Sequence, residues 1–85
     1  MTVEVLLKEK EKMQLKDFSI MEHNQKSYCL NKTEDGKYIT YTSLSDDIKY
    51  DVREYDTEAE ACKSFFEKMK CVFELRYGGK KKKWG

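Results

Sequence analysis

Thr57-Glu58-Ala59-Glu60-Ala61-Cys62-Lys63-Ser64-Phe65-Phe66-Glu67-Lys68-Met69-Lys70-Cys71-Val72-Phe73 decides the fold of this chain. Cys62, Phe65, Phe66, Met69, Val72 and Phe73 recur at i, i+3, i+4, i+7, i+10 and i+11. That spacing winds into one apolar stripe on a helix of 3.6 residues per turn. Thr57 and Glu60 form a capping box: the Thr57 side chain accepts from the Glu60 N–H, and Glu60 reaches back to Thr57. Acids at the start and Lys or Arg further on suit the helix dipole. Gly78-Gly79 stops the helix. A striped helix has to lay its apolar side on something, and the residues before it supply the surface.

Ile48 to Tyr55 alternates, with Ile48, Tyr50 and Val52 facing one way and Lys49, Asp51 and Arg53 the other. A period of two with one polar side fits an antiparallel sheet with one solvated face. Lys37 to Ser43 is rich in Tyr and β-branched residues, and Ser27 to Thr33 alternates as well. Asp35-Gly36 between these two runs predicts a hairpin. Ser43 to Asp47 reads as a second turn, His23 to Lys26 as a polar turn, and Asp17 to Ile20 as a short extended segment. At the front, residues 2–15 read as a helix with Val3, Leu6, Leu7 and Met13 close to one stripe, interrupted by Lys10. The expectation is an α+β domain over residues 1–79, followed by a basic tail at 80–85. Its order is helix, three- to four-stranded antiparallel sheet, helix, in two layers with both helices on one face.

Eighty-five residues support one thin core and no internal substrate chamber. Eleven aromatics and a net charge of +1 argue for folding over disorder. No apolar run approaches the roughly 18–20 residues that cross a bilayer. Met1 to Val5 lacks the basic start and long apolar stretch of a signal peptide. These features point to the cytoplasm, where Cys29, Cys62 and Cys71 are expected as free thiols.

The mean charge hides a gradient. Residues 31–60 carry four basic and nine acidic groups, a balance of −5, and residues 61–85 carry eight and two, a balance of +6. Acidic and basic segments of this kind select partners by charge.

Chemistry finds little support. One His and no paired Cys motif leave no zinc pattern. Cys62 and Cys71 are nine residues apart on one helix, about half a turn out of phase at ~100° per residue, so they point to opposite sides. His23 sits in a polar stretch and reads as solvated, which removes the base that a nucleophilic Cys would need. Asp46, Asp47, Asp51, Glu54 and Asp56 offer carboxylate pairs, yet so short a chain builds no deep cleft around them. No catalytic, cofactor-binding or metal-ligating residue is assigned. The element order is also that of a double-stranded-RNA-binding domain. Asp56-Thr57-Glu58-Ala59-Glu60 then puts three negative charges where such a domain meets phosphates, so nucleic acid, through the Lys80 to Lys83 tail and Trp84, is an alternative reading and not the expected one, as is a generic protein-interaction module.

Three features carry a family resemblance: Tyr28-Cys29-Leu30; Gly36-Lys37-Tyr38-Ile39-Thr40-Tyr41 followed by an acidic segment; and the helix opening Glu58-Ala59-Glu60-Ala61-Cys62-Lys63-Ser64-Phe65-Phe66. The stretch from Ser27 to Met69 resembles the small α+β immunity proteins of bacterial polymorphic-toxin and contact-dependent growth inhibition systems. The resemblance implies a cytoplasmic inhibitor that binds and blocks the C-terminal domain of a cognate toxin. A nuclease with a basic cleft suits the acidic middle of this chain, because opposite fields steer association. The residues expected at such a contact are Glu34 and Asp35 in the first turn, Asp46 and Asp47 in the second, and Asp51 and Arg53 on the polar strand face. Tyr38 or Tyr41 is a candidate aromatic anchor, although sheet packing explains both more simply. A homodimer through an edge strand also fits this sequence.

Overall fold

The computed structural model describes residues 1–78 and is α+β. Helix α1 (Val3–Met13) is followed by β1 (Phe18–Ile20), β2 (Ser27–Lys32), β3 (Tyr38–Ser43) and β4 (Lys49–Tyr55). Helix α2 (Glu58–Phe73) then runs into a π-helical turn over Glu74–Gly78. The basic tail at 80–85 lies outside the described residues, as does Gly79.

The strands form one sheet in the order β1-β2-β3-β4. Both β2–β3 and β3–β4 are antiparallel, but β1 pairs with β2 in parallel, so the sheet is mixed and not antiparallel throughout. The cause lies in the connection between Ile20 and Ser27. A parallel pair normally needs a crossover of a dozen or more residues. Because β1 has only three residues, the return path is roughly 10 Å at ~3.3 Å per residue, and six residues cover it. Met21 (φ 59°) and Lys26 (φ 55°) turn the chain at either end in the left-handed region.

The crossover lies against the sheet face opposite the helices, and side chains bond it there. Asn24 Nδ2 donates to Ser19 Oγ at 2.9 Å, and Ser19 and Ser27 share a hydroxyl bond of 2.6 Å. Asn31 Nδ2 donates to the Glu22 carbonyl at 3.0 Å. The face expected to be solvated is therefore partly closed, with Ser19, Ser27, Cys29, Tyr41 and Ser43 all buried.

The helices cover the other face. Thr2 caps α1 by accepting from the Val5 N–H, and Glu58 Oε2 accepts from the Val3 N–H at 2.8 Å, so the two helices start side by side. Leu6 is buried and Val3 and Met13 pack on the core, but Leu7 is solvent-facing and Leu15, just past the helix, takes the expected place. At α2, Thr57 Oγ1 accepts from the Glu60 N–H at 3.2 Å as expected. Glu60 does not reach back to the backbone; its carboxylate accepts from the Thr57 hydroxyl. Ala61, Cys62, Phe65 and Met69 are buried, and Cys71 is exposed, half a turn out of phase with Cys62. The Phe65 ring stacks on Tyr28 at 5.0 Å and meets the Phe18 ring edge-on at 5.6 Å. These contacts join α2 to β1 and β2.

Among the described residues, one buried side-chain polar atom has no hydrogen-bond partner. The Thr40 hydroxyl on β3 is buried and unbonded, an arrangement that costs about 1–3 kcal/mol. Thr40→Val keeps the shape and removes that cost, so it is expected to stabilise the protein by about 1 kcal/mol in a urea titration. A loss of stability would instead show that the hydroxyl bonds the nearby Tyr28 phenol.

The π-helical turn is tied back to the sheet. Arg76 Nη1 and Nη2 donate to Asp17 Oδ1 and Oδ2 at 3.2 and 2.7 Å. The Arg76 fork holds the Asp17 carboxyl below its ordinary value. A depressed carboxylate pKa contributes stability above the unfolded value of about 4 and loses it as pH falls through the folded one. Both side chains are more than 40% exposed, so screening keeps the effect small. The expected result is a melting temperature slightly lower for Asp17→Asn at pH 7, with the gap closing below about pH 4. A gap independent of pH would remove the ion pair as its cause.

Candidate functional site

The β3–β4 hairpin brings together the features that a binding surface needs. Thr42 pairs with Tyr50 and Ser43 with Lys49, and the Leu44 N–H donates to the Ile48 carbonyl at 3.0 Å. Asp46 and Asp47 sit at the tip, exposed. Further along, Asp51 and Val52 together oppose Tyr41, which makes a β-bulge. Asp51 adopts φ 54°, a left-handed conformation that a short polar side chain tolerates better than most.

The bulge resets the alternation read from the sequence. Lys49 lies opposite Ser43 and Arg53 opposite Thr40, and Ser43 and Thr40 are an odd number of residues apart. Lys49 and Arg53 thus lie on opposite faces, not on one polar face with Asp51 between them. Tyr50 shares the helix-side face with Arg53, and Val52 faces the other way. Arg53 also has an acid of its own, with Nε 3.6 Å from Asp51 Oδ1.

Alternation gives a period but not a cover. Ile48, Tyr50 and Val52 were expected to be the buried side of β4, yet they are 47%, 52% and 54% exposed. β4 is an edge strand, and the core packs on the strands before it. Leu44, two residues beyond Thr42, is 45% exposed on the helix-side face. Leu44, Ile48 and Tyr50 therefore form a small apolar surface near the exposed Asp46 and Asp47 of the hairpin tip.

The other expected residues lie elsewhere. Glu34 and Asp35 are exposed in the β2–β3 turn, at the opposite end of the sheet, roughly 20 Å away along a six-residue strand. The two acidic turns do not form one site. Asp35 accepts from the Thr33 hydroxyl, which lowers its carboxyl pKa. Nearby, Lys37 lies 3.8 Å from Glu54 and 3.7 Å from Asp56. Tyr38 is half-buried against the core with Lys32 over its ring. Tyr41 is only 2% exposed, so sheet packing accounts for it and partner contact does not.

His23 is exposed as expected, and it is also bonded. Its Nδ1 is 2.9 Å from the Tyr41 hydroxyl, and its Nε2 is 3.7 Å from Asp46 Oδ1. Gln25 Nε2 donates to the same Asp46 oxygen at 3.4 Å, so the crossover steadies the hairpin tip. Burial of the Tyr41 hydroxyl and the Cys29 thiol beside it raises the phenol's pKa. Among the described residues, no three His, Cys, Asp or Glu side chains converge as metal ligands, and no helix is long and apolar enough to cross a membrane.

Comparison with protein families, with curated proteins and with solved structures finds no match to this chain.

Proposed function

We propose that this protein is an immunity protein that neutralises a cognate bacterial toxin domain, a nuclease, by binding it through the β3–β4 hairpin. The observation that carries the reading is the exposed trio Leu44, Ile48 and Tyr50 set beside Asp46 and Asp47. Interfaces commonly have an apolar centre with aromatic anchors and a polar rim. Carboxylates on that rim steer a basic partner and raise the association rate. Tyr50 takes the anchor role first considered for Tyr38 and Tyr41. Arg53, beyond the bulge on the same face, meets an acid or carbonyl of the toxin. The protein blocks the substrate cleft by occupying it and performs no chemistry itself, in the cytoplasm where a nuclease would act.

Co-expression with an adjacently encoded toxin domain tests the class. The expected result is that wild-type protein restores growth of cells making the toxin. Uninterrupted killing by every such toxin domain would remove the immunity reading.

A further inference from the structure

The end of the molecule where α1 stops carries an opposite field. A cleft of about 840 Å³ lies between α1 and the π-helical turn, lined by Lys8, Lys10, Lys16 and Tyr77 among others. A second cleft of about 490 Å³ shares Lys16 and Tyr77 with it and adds Lys26 and Arg76. The two are lined by five basic residues and by two acids, Glu11 and Asp17, a balance of +3. Arg76 is already held by Asp17 in the bidentate pair. Lys8, Lys10, Lys16 and Lys26 make no ion pair with other described residues.

Lysines at helix C-termini complement the dipole, and that explains Lys10 and Lys12. It does not explain Lys16 and Lys26, which lie outside the helices and border the same cleft. The Arg fork matches carboxylate and phosphate alike, and Lys serves phosphate as a point charge. Arg76 is engaged by Asp17, so the four lysines are the charges the clefts offer to an anionic chain of phosphates. Tyr77, 54% exposed beside Phe73, offers a ring face at the junction of the two clefts. Free lysines around an exposed aromatic are the elements of single-strand binding.

We infer that the lysine-lined cleft between α1 and the π-helical turn binds the backbone of single-stranded nucleic acid, with Tyr77 stacking on a base. This surface is distinct from the acidic start of α2, where an RNA-binding domain of similar element order would make its contacts. Gln25 lines the second cleft and also bonds Asp46 at the hairpin tip, but the lysines and Tyr77 are different residues from those of the hairpin, so the two binding functions can be tested separately.

Fluorescence anisotropy of a 20-nucleotide labelled oligouridylate with the full chain, from 50 to 200 mM salt, tests the inference. The logarithm of affinity should fall linearly with that of salt. Lys10→Ala, Lys16→Ala and Lys26→Ala combined should reduce the slope by about 2, at ~0.7 per phosphate contact. Tyr77→Ala should weaken binding about tenfold without changing the slope. Binding unchanged by the triple variant would place the contact in the terminal lysines alone and overturn the inference. Absence of salt-dependent binding would do the same, as would polyglutamate competing as well as unlabelled oligouridylate.

Discussion

Phe65→Ala is expected to cost roughly 3–5 kcal/mol of folding stability in a denaturant melt, the range for truncating a buried aromatic side chain. Phe65 is fully buried, stacks on Tyr28 and meets Phe18 edge-on, so one deletion loosens α2 from both β1 and β2. A small domain has about 5–15 kcal/mol in total, so the variant should be marginal at 37 °C. Phe66→Ala provides the comparison: it is next in sequence but only half-buried, and its cost should be clearly smaller. Equal costs for the two would mean that the apolar stripe is not oriented as described.

The second large effect is expected on binding and not on folding. Tyr50→Ala should weaken toxin binding by 2 kcal/mol or more, roughly 30-fold, as truncation of an aromatic anchor does. Stability should change little, because half of the side chain already faces solvent. Reversing the rim, Asp46→Lys with Asp47→Lys, should slow association and make what remains less sensitive to salt. Reversing Glu34 and Asp35 instead should leave binding near wild type, since those acids lie at the far end of the sheet. Loss of binding from that distant pair, with the hairpin variants unaffected, would move the site to the β2–β3 turn.

The start and the apolar stripe of the last helix were legible in the sequence, whereas its π-helical end at Glu74–Gly78 was not. Its cap, stripe and dipole complement agree with one another, and local agreement of that kind is what a stable element leaves behind. The β2–β3 hairpin was legible for the same reason: Gly36 meets the positive φ of 87° that its turn requires. What escaped were features whose residues look ordinary. The bulge at Asp51 uses no glycine, so the period of two was carried through it and assigned the wrong face to half of β4. The parallel crossover is far shorter than the usual connection, so its exposed His, Asn and Gln gave no sign of the parallel pairing or of the bonds they make to the sheet and the hairpin tip. The burial of Ser19, Ser27 and Ser43 under that crossover left no mark in the sequence. The exposed side of β4 was mistaken for core because alternation cannot show whether a neighbouring element reaches that strand. The acids were located correctly as turns, but which turns share an end depends on strand order.

The central claim is that the β3–β4 hairpin carries a toxin-binding surface. Titration calorimetry of the adjacently encoded toxin domain tests it most directly, using wild-type chain and the triple variant Asp46→Lys, Asp47→Lys, Tyr50→Ala, both first shown to melt alike. The account predicts tight binding by the wild type and an affinity at least 100-fold weaker for the variant, the sum of a lost anchor and a reversed rim. Equal affinities for the two proteins, or no heat of binding from the wild type, would contradict it.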